Sequence, residues 1–135
     1  MGRLRTAALL AASLPLLAAC GLSCSLVGCF SGVTVELGAF PVPPQPSTSV
    51  TLCVDNHCST EHPGATPLGV ATARMPTTGA EKVRVSIRIV GPDGSLVASD
   101  ATTVQLHKNQ PNGQFCGPTC YQALLVLNPQ GRLVG

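Results

Sequence analysis

Apolar and polar residues alternate with a period of two over three stretches of the chain. Within residues 33–37, 50–54 and 83–89, valine, leucine or isoleucine occupies every second position. Successive side chains of a strand point to opposite faces, so this alternation is typical of strands with one buried face. The pattern predicts three strands whose inward residues are Val33, Val35, Leu37, Val50, Leu52, Val54, Val83, Val85, Ile87 and Ile89.

Weaker patterns predict the remaining elements. Gly91-Pro92-Asp93-Gly94 combines a proline that presets φ with a glycine that accepts a left-handed conformation, which favours a turn into a strand at residues 95–99. A separate strand is expected at residues 102–107, with Val104 and Leu106 facing inward. Further strands are expected at residues 120–128 and 132–134, with a weak one at 68–73 inside a stretch, 59–80, that otherwise resembles loop.

These elements indicate an all-β protein. Helical periodicity is absent after residue 32, and about seven short strands separated by turns are typical of a small antiparallel β-sandwich. An immunoglobulin-like or transthyretin-like topology is the expected arrangement. The likeness is loose, because the chain has no Trp and so lacks the buried Trp of immunoglobulin domains.

The first 20 residues have a different character. Arg3 and Arg5 precede an uncharged run at residues 6–19, which as a helix is about 21 Å long and short for a membrane span of about 30 Å. Leu17-Ala18-Ala19-Cys20 ends this run and resembles the lipobox of bacterial lipoprotein signal peptides.

The resemblance implies that residues 1–19 are a lipoprotein signal peptide, with Leu17, Ala18 and Ala19 recognised by the signal peptidase and Cys20 lipidated. Residues 20–32 are then a flexible tether and residues 33–135 the β-sandwich domain. Two alternatives stay open. One is an uncleaved anchor that extends through Leu22, Leu26, Val27 and Phe30, and the other is secretion without lipid.

Composition narrows the function. Removing residues 1–19 leaves 116 residues, enough for one core, with six basic and six acidic side chains. Nucleic-acid binding needs a basic excess and is not expected. With three Phe, one Tyr and no Trp, a sugar-stacking platform is also disfavoured.

The chain has seven cysteines, an odd number that becomes even if Cys20 carries lipid. Six cysteines in an exported protein predict three disulfides. They form three pairs close in sequence, so local bridges are the first expectation, with crossed pairing between clusters as the alternative. A bridge from Cys53 to Cys120 is disfavoured, because Cys53 lies on the strand face opposite Leu52. The expected local pairs are Cys24 with Cys29, Cys53 with Cys58, and Cys116 with Cys120.

The sequence contains only isolated signals for metal binding, thiol redox chemistry or catalysis. Cys53, Cys58 and His62, with His57 and His107 nearby, have the sulfur and nitrogen ligands that zinc and copper use. Residues 116–120 resemble a thioredoxin-type redox motif with one residue inserted. In an oxidising compartment disulfide formation competes with both roles, so neither a metal nor another cofactor is expected. Because Gly-x-Ser-x-Gly is absent and Asp100 has no nucleophile context, no catalytic residue is predicted.

Residues 108–121 form the most distinctive stretch after Cys20. They resemble a segment of uncharacterised lipoproteins and exported proteins of actinobacteria, a likeness that covers residues 82–128 and implies a location without an activity. Asn112, Phe115 and Tyr121 are the candidate binding residues, because loops carry most recognition. The expected function is a non-catalytic binding or structural lipoprotein on the outer face of the cell membrane, with an envelope protein or cell-wall partner. A metal-handling or thiol-redox lipoprotein that uses the paired cysteines with His57 and His62 is the alternative.

Overall fold

The structure is a computed structural model that describes residues 24–64, 66, 68–76 and 79–135. Within these residues every regular element is a strand and none is a helix, so the all-β expectation is confirmed. The described part of the chain contains nine strands rather than about seven. They are β1 (Gly32–Glu36), β2 (Ser49–Val54), β3 (His57–Glu61), β4 (Val70–Arg74), β5 (Lys82–Val90), β6 (Leu96–Gln105), β7 (His107–Asn109), β8 (Cys120–Leu127) and β9 (Leu133–Val134).

The strands form two sheets. The first has the order β4-β1-β8-β7, with β9 also pairing with β8, and the second has the order β3-β2-β5-β6. Every pair is antiparallel except β1 and β8, where Gly32 lies opposite Gln122 in parallel. The expectation of a wholly antiparallel fold is therefore wrong at this pair. All of the second sheet lies between β1 and β8 in the chain, and so long a connection permits parallel pairing.

One hydrophobic core is shared by the two sheets. The alternation predicted for β1, β2 and β5 is confirmed, since all their inward residues are buried. Side chains such as Val35 and Leu127 from the first sheet and Ile87 from the second belong to the same cluster. Each large aliphatic side chain buried in this way contributes about 1.5–3 kcal/mol to folding.

β6 is a single strand where the sequence predicted two. Asp100 and Ala101 continue the pairing with Ile87 and Ser86 of β5, so the strand has no break there. The chain leaves the second sheet at Leu106, which is fully buried as predicted and whose N–H donates to the Glu81 carbonyl at 2.9 Å. It then enters the first sheet as β7, and this crossing fixes the position of the loop that follows.

The strand registers define two ends of the molecule. Gly32 of β1 pairs with Arg74, the last residue of β4, and Lys82 of β5 pairs with Gln105, one residue before the crossing at Leu106. These positions lie at one end, which we call the bridged end and which includes residues 24–31, the turn at 55–56 and the loop at 110–119. The opposite or far end includes residues 37–48, 91–95 and 128–132. β6 alone separates the two by about 30 Å.

Candidate functional site

Three disulfides join the six cysteines of the described residues. Cys53 bonds to Cys58, its direct partner across β2 and β3, at a Cα separation of 4.0 Å. The local pairing expected there is confirmed. For the other four cysteines it is wrong: Cys24 bonds to Cys116 and Cys29 bonds to Cys120, with Cα separations of 5.7 and 6.2 Å.

The crossed pairing follows from the parallel neighbours β1 and β8. Because the two strands run side by side in the same direction, the segments that precede them, residues 24–31 and 110–119, meet at the bridged end. Further hydrogen bonds join residues 24–31 to the loop at 110–119 and to the start of β8; we call this contact region the junction. The Gln122 side chain donates to the Phe30 carbonyl at 2.8 Å, and the Tyr121 N–H donates to the Ser31 hydroxyl at 3.1 Å.

The segment predicted as a flexible tether, residues 20–32, is thus attached to the domain from Cys24 onward. Both long-range bridges begin in it, and Ser31, Phe30 and Val27 each hydrogen-bond to the segment before β8 or to β8 itself. The Arg74 guanidinium also lies 5.1 Å from the centre of the Phe30 ring, a favourable cation–π distance. Three residues, 21–23, lie between Cys20 and the first bridged position, Cys24.

Asn112 is the centre of this junction. Its Oδ1 accepts from the Val27 N–H at 3.1 Å and from the Ser25 hydroxyl, while its Nδ2 donates to the carbonyls of Val27 and Gly117 at 2.9 and 2.7 Å. An Asn side chain has two donor hydrogens and a carbonyl oxygen with two lone pairs, and all of them are used. This side chain therefore joins two segments of the protein and has nothing left to offer a partner.

The other two candidate binding residues also differ in exposure. Tyr121 is half-buried and packs against the core, whereas the Phe115 side chain is 77 % exposed at the tip of the loop. Gly113, with φ of 98°, lets the loop turn sharply before Phe115, and the Gln110 side chain donates to the Gln114 carbonyl and the Thr119 hydroxyl. Of the three predicted residues, only Phe115 is presented to solvent.

Two exposed residues were missed as surface candidates by the sequence analysis. Leu26 is fully exposed and Val27 is 53 % exposed, and the bridges and Asn112 hold both next to the loop that carries Phe115. Apolar residues in a Gly- and Ser-rich stretch were the available signal. That signal by itself favours a tether or an anchor, because closeness in sequence does not reveal the pairing of Cys24 and Cys29.

The residues proposed for metal or redox chemistry are not grouped together, and several already bond to other groups of the protein. Cys53 and Cys58 are bonded to each other, and His62 Nδ1 lies 2.9 Å from the Thr48 carbonyl. His57 is exposed at the start of β3. Among the described residues, no three His, Cys, Asp or Glu side chains are grouped closely enough to hold a metal ion. In this bridged form the cysteines supply no thiolate.

Asp100 bonds to a residue of the other sheet. Its carboxylate, on β6 of the second sheet, accepts from the Leu133 N–H of β9 in the first sheet at 2.8 Å and pairs with Arg132 Nε at 3.3 Å. The Leu133 hydrogen bond is the main cause that lowers the pKa of Asp100 below its ordinary value of 3.8; burial opposes it, and Arg132 adds to it. Asp100 thus connects the two sheets.

The predicted lipidation residue Cys20 and the recognition residues Leu17, Ala18 and Ala19 lie outside the described residues. Within the described part of the chain, no helix is long and apolar enough to cross a membrane, and Leu26, Val27 and Phe30 lie in a non-helical segment. Comparison with protein families, with curated proteins and with solved structures gives no match.

Proposed function

We propose that this protein is a lipid-anchored protein of the cell envelope, held on the outer face of the cell membrane by a diacylglyceryl group on Cys20. Residues 1–19 serve as its signal peptide, with Leu17, Ala18 and Ala19 at the cleavage site. The remainder is a non-catalytic β-sandwich of immunoglobulin-like or transthyretin-like type. It binds an envelope protein or a cell-wall component, or has a structural role there.

The pairing of the cysteines carries this proposal. The chain has seven, and six of them are joined in three bridges. Only Cys20 is left over, at the position that resembles the lipidated cysteine of a lipobox. An unpaired thiol in an oxidising compartment is reactive, and a thioether to lipid removes that thiol.

Two further observations support the location and the fold class. Disulfides form and persist in oxidising compartments, so three bridges in one small domain favour export. Two sheets that bury their apolar faces in a single cluster, within about 100 residues, favour a sandwich.

A non-catalytic role is supported by the use of the polar side chains. Asn112, a candidate binding residue, and Asp100 are both occupied in internal hydrogen bonds between segments. A domain of this kind offers rigid loops for contact.

Replacement of Cys20 tests the lipid anchor. In a bacterial host that processes lipoproteins, Cys20→Ala should move the protein from the detergent phase to the aqueous phase on Triton X-114 partitioning, or leave it with an unprocessed signal peptide. Ser23→Ala, three residues away, is the control and should behave as the wild type. A processed Cys20→Ala protein that enters the Triton X-114 detergent phase as fully as the wild type would overturn the lipoprotein proposal.

A further inference from the structure

We propose that the bridged end of the domain lies directly on the lipid bilayer, with Leu26, Val27 and Phe115 inserted at the boundary between head groups and acyl chains. This inference rests on the proposed lipid at Cys20. It adds the orientation of the whole domain and a second, non-covalent contact with the membrane.

The short distance along the chain from Cys20 to Cys24 is the first reason. The four residue-to-residue steps from Cys20 to Cys24 span at most about 14 Å even when the chain is fully extended. Cys24 is bonded to Cys116, so the loop at 110–119 is brought as near to the lipid as Cys24 itself. The far end is about 30 Å away along β6. A domain held this closely by its bridged end has little freedom to turn that end away from the bilayer.

The second reason is that the apolar side chains exposed at that end lie in the basic half of the molecule, whereas others, such as Leu96 and Val97, lie in the acidic half. Leu26 is fully exposed, Val27 is 53 % exposed and Phe115 is 77 % exposed. Interfacial membrane contacts use aliphatic and aromatic side chains of this kind, whose apolar surface enters the boundary while the backbone stays hydrogen-bonded. Asn112 and the Cys24–Cys116 bridge already hold the two segments together, so little ordering is needed on contact.

The distribution of charge is the third reason. The strand registers place four basic and two acidic side chains in the half of the molecule next to the bridged end, and two basic and four acidic ones in the other half. The near half thus carries a formal charge of +2 and the far half −2. Anionic head groups attract the near half and repel the far half. The near set is Arg74, Lys82, Arg84, Lys108, Asp55 and Glu81; the far set is Arg88, Arg132, Glu36, Glu61, Asp93 and Asp100.

The proposed orientation also determines which end of the domain is open to a partner. If loop 110–119 faces lipid, an envelope protein or cell-wall partner meets the far end of the domain, at residues 37–48, 91–95 and 128–132. Phe115 is then a membrane contact rather than part of a partner site.

Fluorescence of a single tryptophan tests this orientation, because the chain contains no Trp of its own. Phe115→Trp and Leu96→Trp proteins are expressed from residue 1 in a bacterial host that processes lipoproteins, purified in detergent, and reconstituted with vesicles of phosphatidylcholine and phosphatidylglycerol, with or without acyl-brominated lipid. Leu96, 58 % exposed at the far end, provides the matched control. A side chain at the boundary lies about 5–10 Å deep, so bromine should quench the tryptophan at 115 roughly two-fold or more and leave that at 96 nearly unchanged.

A charge pair on β5 provides a second control. Lys82 and Arg88 are both exposed on this strand, about 20 Å apart. In the Phe115→Trp protein, Lys82→Glu should weaken quenching on anionic vesicles, whereas Arg88→Glu should not.

The outcomes separate the two proposals. A protein that fails to float with vesicles overturns the lipid anchor and this orientation with it. A protein that floats but is quenched equally at 115 and 96, or not at all at 115, keeps the anchor and overturns the orientation. In that case loop 110–119 faces solvent and becomes the site at which to seek a protein partner.

Discussion

Asp100 shows how one carboxylate connects two sheets. It lies on β6 and receives the Leu133 N–H from β9, while Arg132, which is 71 % exposed, adds an ion pair that solvent screens. Its side chain is only 13 % exposed, so the hydrogen bond to the backbone carries most of the interaction. In the sequence Asp100 is simply one of a few carboxylates, because its partner is 33 residues away.

The ionisation of Asp100 makes a testable contribution to stability. Its pKa is lowered in the folded protein, so the contribution is complete above the ordinary value of 3.8 and is lost as the pH falls through the lower folded value. Asp100→Asn, which resembles the protonated form, should reduce the free energy of unfolding by about 1 kcal/mol near pH 7, since hydrogen bonds to charged groups are the stronger ones.

Urea denaturation at a series of pH values measures this effect. The gap between the wild type and Asp100→Asn should close as the acid range is entered, and Asp93→Asn, whose partner Ser95 lies in the same turn, should cost less. A gap that is absent near pH 7, or that stays constant down to acid pH, would contradict the role assigned to Asp100.

At the scale of elements, the two long-range bridges are interleaved along the chain, because Cys29 lies between Cys24 and Cys116 while Cys120 lies beyond both. Cys24–Cys116 and Cys29–Cys120 close loops of 92 and 91 residues, whereas Cys53–Cys58 closes a turn with a separation of 5. Once Cys29–Cys120 is present, Cys24–Cys116 closes only a ring of about 11 residues. The first of these two bridges to form therefore restricts the unfolded chain strongly, and the second adds a smaller restriction.

Because each long-range bridge closes only a short ring once the other is present, replacement of cysteines by alanine should give non-additive losses of stability. On the chain-entropy account, removal of Cys53–Cys58 costs about 2 kcal/mol, removal of Cys24–Cys116 alone about 3, and removal of both long-range bridges about 7. The last figure is comparable to the whole stability of a small domain. Urea unfolding of the three variants compares these costs. If loss of both long-range bridges costs no more than loss of Cys53–Cys58, the crossed pairing is wrong.

The elements that the sequence predicts best are those with one buried face. β1, β2 and β5 alternate strictly and were predicted within one or two residues, and even the weak strand at 68–73 corresponds to β4. β3 and β7 were missed because their residues are mostly polar and exposed, so no apolar period marks them. The break predicted near Asp100 is absent because β5 pairs with β6 across it.

The candidate site could be predicted only in part. Phe115, predicted as a contact residue, is exposed, whereas the internal role of Asn112 depends on Val27 and Gly117, and Val27 is 85 residues away in the chain. The cysteine pairing shows the same limit. Closeness in sequence favoured local bridges, whereas the parallel contact of β1 with β8 determines which sulfurs meet. That contact leaves no short-range signal.

At the scale of the whole molecule, the two ends of the domain, as defined along the strand direction, differ in charge and in covalent links. The bridged end combines the N-terminal segment, two disulfides, exposed Leu26, Val27 and Phe115, and a basic excess, whereas the far half exposes other apolar side chains, such as Leu96, beside an acidic excess. This difference between the two ends is consistent with a domain held at a membrane by one end. Its single odd cysteine, Cys20, is the residue on which that interpretation depends.

Mass spectrometry of unreduced peptides from protein extracted from cell membranes tests that residue most directly. A mature chain should begin at Cys20 with a diacylglyceryl mass on that residue. Three bridges should accompany it: Cys24 with Cys116, Cys29 with Cys120, and Cys53 with Cys58. An unmodified Cys20, present as a free thiol or in a disulfide, would contradict the lipid anchor; free thiols at Cys53 and Cys58 would instead favour a metal-handling or redox role.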